Sequence, residues 1–416
     1  MRYVIIGNSA AGVTAAETLR RLDKNSEITI IDRENTPAYS RCILPNYLEG
    51  TRAEEELHIR PKDFYQKLEI NTFFGSSAEK IETDTRIVKL TGGKQLPYDR
   101  LLIAAGAGSA MPPVPGLDSP GVYGLRNLDD AKNILEETKK ARKVLVLGAG
   151  FVGLETAAAL YKRGLEVTVV EKSPQVLPQQ LDGKAALILQ RELQAEGLRF
   201  ILGQGVKQVL PPGLWQKLFG KNGKGIILEN GDRLKADLII AATGTHPNVE
   251  FLKDTKLNIN NGIVVDNHLQ TSISGIYAAG DIAETGAGLT PIWPNATAQG
   301  KAAAFNMAGI PRENSEFSGL QNAVEFRNVP TIAVGVTNPS NNNYEIISSF
   351  FPDRNLYKKL IFQGDVLKGF ILVGDIRQAG IFGGLVKTAK PLGKSKASLM
   401  ESNFGYGRIY AKAVAG

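Results

Sequence analysis

At 416 residues, with 43% hydrophobic and 22% charged residues, the chain is a globular polypeptide long enough for two or three cores. No apolar run nears the roughly 20 residues that span a bilayer, and the amino terminus enters strand-like sequence at once, so a cytoplasmic protein is expected. The lone Cys42 excludes an internal disulfide, a two-cysteine redox centre and a self-contained iron–sulfur cluster, and His58, His246 and His268 match no zinc spacing, so no metal site is expected.

Arg2 to Asp32 predicts one βαβ unit: an apolar run ending at Ile6, a turn of small residues, a helical stretch from Val13 to Leu22, and a second apolar run, Ile28 to Asp32. Gly7 permits the tight turn, Ser9 and Ala10 are small enough to admit a pyrophosphate, and Gly12 lets the helix pack close to the strand. The phosphates would sit at the positive end of that helix, with Asp32 placed to accept hydrogen bonds from a ribose. An acid exposed at a strand end is the plainer reading of Asp32 taken alone.

Arg33 to Gly50 reads as a loop leading into a short helix, Glu54 to Leu68 as helix, and Ile87 to Leu90 as a hairpin strand before Gly92-Gly93. Tyr98 to Ala107 is a buried strand ending in small residues, suited to closing over a cofactor. Pro112, Pro113, Pro115 and Pro120 mark a connector.

A second βαβ unit then follows, with the complete fingerprint Gly148-Ala149-Gly150-Phe151-Val152-Gly153-Leu154-Glu155 and a second strand ending at Glu171. Glu171 favours NAD over NADP because an acid pairs with a free 2′-hydroxyl and repels a 2′-phosphate, a preference that the adjacent Lys172 weakens. Two dinucleotide grips in one chain imply a flavin held in place and a nicotinamide that comes and goes. Asp182 to Glu196 is a periodic helix, Pro211 to Gly225 a surface loop or hairpin tip, and Ala236 to Thr245 repeats the strand design of Tyr98 to Ala107.

The chain then re-enters its first domain through Thr271 to Asp281, an apolar strand ending in Gly280-Asp281, and a small-residue helix from Ala296 to Ala308. Strand-like runs at Thr331 to Val336, Tyr344 to Phe350, Lys359 to Phe362 and Gly369 to Val373 suggest an antiparallel sheet with helices to follow. From Arg377 onward seven basic residues (Arg377, Lys387, Lys390, Lys394, Lys396, Arg408 and Lys412) face one acid, Glu401. Such a cluster would steer an acidic partner or an anionic substrate, and it reads equally as a solvated face. No recognition motif accompanies it, so a nucleic-acid partner is not expected.

Taken in order, the Gly7 and Gly148 fingerprints, the strands ending at Gly106 and Gly244, and Gly275-Ile276-Tyr277-Ala278-Ala279-Gly280-Asp281 resemble the pyridine nucleotide–disulfide oxidoreductase family over roughly residues 1 to 310. The resemblance implies an α/β chain with two Rossmann-like domains: an FAD domain (1–112 and 246–321) interrupted by an NAD(P)H domain (113–245). A carboxy-terminal α+β interface domain (322–416) follows, of a kind that often forms homodimers. It implies FAD contacts from Gly7, Ser9, Ala10, Ala11, Gly12, Asp32, Arg33, Arg41, Ala105, Gly106, Gly280, Asp281, Trp293 and Ala296. It implies NAD contacts from Gly148, Gly150, Phe151, Val152, Gly153, Glu155, Glu171, Lys172 and Gly244, with Glu155 near the nicotinamide.

Cys42-Ile43-Leu44-Pro45 resembles the coenzyme A-disulfide reductase and NADH oxidase branch, in which a single cysteine lies over the flavin. Beside Arg41 and a helix start, such a thiolate would attack a disulfide, persulfide or peroxide; the alternative is a small apolar packer. Lys368 to Ile381 instead resembles flavin reductases that serve iron–sulfur or haem partners, such as the flavin portion of NADH-dependent nitrite reductase. The function expected is an FAD-dependent NAD(H) oxidoreductase that exchanges a hydride with NADH and electrons with an acidic, iron–sulfur partner protein, Arg41 stabilising reduced flavin and Trp293 packing beside the ring. A single-cysteine disulfide or persulfide reductase or NADH oxidase is the alternative, and a redox-sensing flavoprotein the non-enzymatic one.

Overall fold

A computed structural model describes residues 1–210, 213, 223–314, 320–339 and 341–405. In chain order its principal elements are β1 (Arg2–Ile6), α1 (Ala10–Leu22), β2 (Glu27–Asp32), β3 (Ile70–Phe74), β4 (Arg100–Ile103), β5 (Val122–Gly124), β6 (Lys143–Leu147), α2 (Phe151–Lys162), β7 (Glu166–Glu171), α3 (Gly183–Glu196), β8 (Arg199–Leu202), β9 (Leu238–Ala241), β10 (Ile276–Ala278) and α4 (Trp293–Met307). They are followed by β11 (Leu320–Phe326), β12 (Val329–Gly335), β13 (Glu345–Phe351), β14 (Leu356–Gln363), β15 (Val366–Val373) and α5 (Ala379–Thr388). The chain divides into two compact units, one of Met1–Ala110, Arg126–Leu128 and Thr245–Glu316, the other of Met111–Leu125, Asp129–Gly244 and Phe317–Gly416.

In the first unit a five-stranded sheet runs β10-β4-β1-β2-β3, every pairing parallel. Strands covered on both faces need apolar residues throughout, and β1 and β2 meet that need with Val4, Ile5, Ile28, Ile30 and Ile31 at the core. The sheet order reverses beside β1, the place where open α/β sheets leave a crevice beyond their strand ends. Here α1 lies so close to β1 that a Cβ on Gly12 would stand 1.9 Å from the Gly7 carbonyl oxygen, and one on Gly300 of α4 would stand 2.2 Å from the Ala11 carbonyl oxygen. Two glycines therefore let α1 be gripped between the strand turn and α4.

The second unit repeats the design with a parallel sheet ordered β8-β7-β6-β9-β5. The close approach recurs as well: a Cβ on Gly153 would stand 2.1 Å from the Gly148 carbonyl oxygen. This unit also holds an antiparallel sheet, β11-β12-β15-β14-β13, whose core forms around Leu360, Phe362, Phe370 and Phe382. Asp182 joins the two parts. Its carboxylate caps α3 through the Ala185 amide at 3.1 Å, accepts the Tyr357 hydroxyl at 2.6 Å and pairs with the buried Lys359 ammonium at 2.9 Å. Burial opposes the Asp182 charge, yet these donors hold its pKa below the ordinary value.

The predicted antiparallel sheet is present, and several boundaries differ. Glu54–Leu57 is a 3-10 turn and Phe64–Lys67 a separate short helix, because Pro61 carries no amide hydrogen to continue a helix across the gap. The strand predicted over Tyr98 to Ala107 is β4 followed by a turn at Gly106 (φ +64°), and that over Thr271 to Asp281 narrows to β10. Of the hairpin tip predicted at 211–225, residues 211–212 and 214–222 lie outside the described residues, as do Arg408 and Lys412 of the basic tail. Among the described residues no helix is long and apolar enough to cross a membrane, and no group of three or more His, Cys, Asp or Glu side chains is placed to hold a metal ion.

Candidate functional site

The two fingerprints fold into the same local machine. In the first unit Gly7 takes φ +117° and its amide bonds to the Ile31 carbonyl at 2.8 Å, turning the chain from β1 into α1. At that position a Cβ would stand 2.1 Å from the Ala104 carbonyl oxygen, so only glycine passes. The Asp32 carboxylate, at the end of β2, reaches back to the turn, accepting the Asn8 amide at 2.6 Å and the Glu34 amide at 2.8 Å. In the second unit Gly148 takes φ +98°, and Glu171 accepts the Ala149 and Ser173 amides, each at 2.8 Å. Both acids thus hold their turns while keeping carboxylate lone pairs for a further donor. Burial raises the Asp32 pKa, against the lowering effect of the two amides.

Helix starts need partners for their first amides. Asp182 supplies one for α3, whereas α1, α2 and α4 begin without a side-chain cap and with no acid in the first turn. Uncapped amides at a glycine-rich turn form a ready anion site.

In the first unit these features open onto a cavity of ≈ 320 Å³. Gly7, Ser9, Ala10 and Ala11 line it from the turn and α1, Asp32 and Arg33 from the end of β2, and Arg41 and Cys42 from the following loop. Ala105 and Gly106 close it after β4, as do Gly280, Asp281, Trp293 and Ala296 from the β10–α4 side. Gly12 does not line it: it faces the Gly7 carbonyl, and its role is close packing.

Several lining residues carry no motif and escape a sequence reading. Asn8 sits inside the fingerprint, buried, donating to the Thr36 carbonyl at 3.3 Å and accepting the Tyr65 hydroxyl at 2.8 Å. Asn248 donates to the Ala105 carbonyl at 2.7 Å and fixes the turn at Gly106. Arg126 lies in a three-residue crossing of the connector. Its guanidinium pairs with Asp281 and donates to the Ala107 carbonyl at 2.9 Å. Behind the wall, Gln299, inside α4 and not itself lining the cavity, accepts the Gly280 amide at 2.6 Å.

Arg41 is the centre of a buried cluster. It pairs with Glu34 at 2.5 Å and donates to the Tyr39 hydroxyl and to the Arg126 carbonyl, both at 3.0 Å. Tyr39 in turn donates to Glu34 at 2.5 Å and accepts the Leu128 amide at 2.9 Å. Burial works against the Arg41 charge, but Tyr39, Glu34 and Asp32 outweigh it and raise its pKa; burial also raises that of Tyr39. The positive charge at the cavity wall is therefore balanced by Glu34, and the cluster fixes the 126–128 crossing from both ends. Cys42 is exposed, in the 3-10 turn Arg41–Ile43 that precedes the helix Leu44–Glu49, and it is in no disulfide.

In the second unit Gly150 precedes α2 with open space at its Cβ position, Phe151 and Val152 begin the helix, and Val152 is exposed. Gly153 packs against Gly148, while Gly244 (φ +121°) ends the strand region after β9 with open space around it. Lys172 is exposed and pairs with Glu229 at 3.2 Å.

Glu155 is half-buried on α2, and burial alone pushes its carboxyl up to about 7. The fold thus favours its protonated form: that contribution to stability is complete below the ordinary value of 4.5 and is lost as pH rises through about 7. Any step that depends on the charge of residue 155 is expected to change between pH 6 and 8, about one unit either side of this value, and Glu155→Gln should flatten that limb. A rapid-mixing pH series on both proteins checks it.

The sequence profile of a family described as pyridine nucleotide-disulphide oxidoreductase matches residues 1–300. The assimilatory nitrate reductase electron transfer subunit of Bacillus subtilis (strain 168) is 32% identical over 90% of this chain and 48% of its own length. Rubredoxin-NAD(+) reductase of Pseudomonas putida is 33% identical over 68% of this chain and 72% of its own length. Among solved structures, an NAD-dependent persulfide reductase from A. fulgidus superposes with a TM-score of 0.84 at 27% identity, covering 98% of this chain and 79% of that one. The chain spans about half the length of the Bacillus relatives it matches.

Proposed function

The chain belongs to the pyridine nucleotide–disulphide oxidoreductase family, and from that premise we propose that it passes electrons between NAD(H) and a partner redox protein by way of FAD. The observation that carries this reading is the duplication: two glycine turns, each locked by an acid at the end of the next strand, one of them opening onto a cavity. In this reading residues 1–112 and 246–321 are the FAD domain, residues 113–245 the NAD(H) domain and residues 322–416 an interface domain. Bound FAD supplies the exchange between a hydride and single electrons.

The chain's own residues bind and orient. The uncapped amides at the start of α1 receive the pyrophosphate, Asp32 the adenosine ribose, and Asp281, held by Arg126, the polar chain beyond it. Ala105 and Gly106 leave room for a flat ring, and Trp293 covers its side. Glu171 receives the ribose of NAD(H).

The partner proposed is an acidic iron–sulfur protein, by analogy with the relatives named for rubredoxin and for nitrate reductase electron transfer. A cytoplasmic homodimer completes the proposal. Two residues of the basic tail are already paired, Arg377 with Asp375 and Lys396 with Glu345, and so contribute less to any docking charge.

Exposure of Cys42 on the cavity wall favours one second reading, a thiol or persulfide reductase. Cys42→Ser separates the two. A partner reductase keeps both flavin reduction by NADH and turnover with a ferredoxin-like acceptor within about twofold of wild type. A thiol reductase loses turnover with coenzyme A disulfide or persulfide by at least ~10²-fold, the order that removal of a nucleophile costs.

A further inference from the structure

The end of β7 carries two opposed signals for the adenosine ribose. Glu171 repels a 2′-phosphate, and Lys172, the next residue, offers the kind of cation that would accept one. The structure shows what becomes of that cation. The Lys172 ammonium lies 3.2 Å from the Glu229 carboxylate, on a surface where both side chains are exposed (75% and 47%).

Glu229 is held there by its backbone. Its amide donates to the Gly205 carbonyl at 2.9 Å, and its carboxylate lies over Gly205, within 2.7 Å of where a Cβ would stand. The neighbouring Gln204 amide donates to the Glu171 carbonyl at 3.1 Å. Glu171, Lys172, Gln204, Gly205 and Glu229 therefore meet at one corner of the second unit, although they come from three separate segments. A Cβ at residue 205 would crowd the Glu229 carboxylate.

We propose that Glu229 is a nucleotide-specificity residue: by pairing with Lys172 it withholds that ammonium from a 2′-phosphate and adds a second negative charge beside Glu171, so that NAD(H) is chosen over NADP(H). The inference rests on the reading of the second unit as the NAD(H) site. Glu229 touches no reacting atom; it acts on the adenosine end through Lys172. An exposed pair of this kind is easily broken, so the barrier to NADP(H) is electrostatic and modest, falling as salt rises.

The test is equilibrium binding to the flavin-loaded protein, with adenosine 2′,5′-bisphosphate and 5′-AMP as probes alongside NADPH and NADH. Glu229→Gln keeps the size of the side chain and frees Lys172. It should tighten adenosine 2′,5′-bisphosphate and NADPH by about three- to tenfold at low salt, and 5′-AMP and NADH by less than twofold. Adding Lys172→Gln to Glu229→Gln should remove the gain, which a merely structural effect of residue 229 would not do. Unchanged NADPH affinity in Glu229→Gln, or a gain that survives loss of Lys172, overturns the proposal. Failure of the wild type to bind NADH or 5′-AMP at all would instead overturn the nucleotide site itself.

Discussion

Gly12→Val protein is expected to emerge from purification colourless, while Gly153→Val protein stays yellow and is not reduced by NADH. Each substitution places a Cβ about 2 Å from a backbone carbonyl oxygen, that of Gly7 in one case and of Gly148 in the other. Backbone on both sides cannot yield as a side chain would, so the helix must move off its strand, at a cost of about 3 kcal/mol. If that cost falls on the bound state, affinity drops by roughly a hundredfold or more. The two turns lie in different units, so the losses should separate: Gly12→Val still binds 5′-AMP, and Gly153→Val still holds flavin. Flavin content by absorbance and 5′-AMP binding by calorimetry read both. Retention of flavin by Gly12→Val, or loss of both ligands from either variant, would show that the fingerprints do not serve the two sites assigned to them.

Arg41→Met is expected to lower stability by about 3 kcal/mol, because it leaves the Glu34 carboxylate without its cation in a nearly closed site. Glu34 is 9% exposed, and after the change its remaining donor is the Tyr39 hydroxyl. The Arg126 carbonyl loses a donor too, while the Leu128 amide and the Arg126 side chain keep their partners in the 126–128 crossing. Glu34→Gln combined with Arg41→Met should recover about half of the loss, since no buried charge then stands unpaired. Urea unfolding of the three proteins measures this. A single variant within about 0.5 kcal/mol of wild type, the range of ordinary surface changes, would show that the cluster is not what fixes this part of the cavity wall.

Much of the first unit could be read from local sequence because its signals are local. Gly7, Ser9 and Asp32 act within one βαβ unit, and the glycine turn, the helix and the acid each leave a residue type at a set spacing. Arg126 leaves none. Its partner Asp281 lies 155 positions away, and nothing near a lone arginine in a proline-rich connector says that three residues cross into another unit. Glu34 and Tyr39 were equally silent, since a buried ion pair is defined by what surrounds it in space. Gly12 serves the close helix packing that its place in the fingerprint implies and does not line the cavity as the family resemblance implies, whereas Asn8, an unremarked position of the same turn, does. The helix predicted over Glu54 to Leu68 failed on Pro61, where a breaker inside an apolar pattern outweighed periodicity.

In the proposed function a nicotinamide bound by the Gly148 turn reduces a flavin bound by the Gly7 turn. Anaerobic rapid mixing of the flavin-loaded protein with NADH tests it most directly. Complete loss of the oxidised-flavin absorbance within a single turnover, faster with NADH than with NADPH, is the result expected. A flavin that stays oxidised with both nucleotides, or a native protein that cannot be loaded with flavin at all, would contradict it.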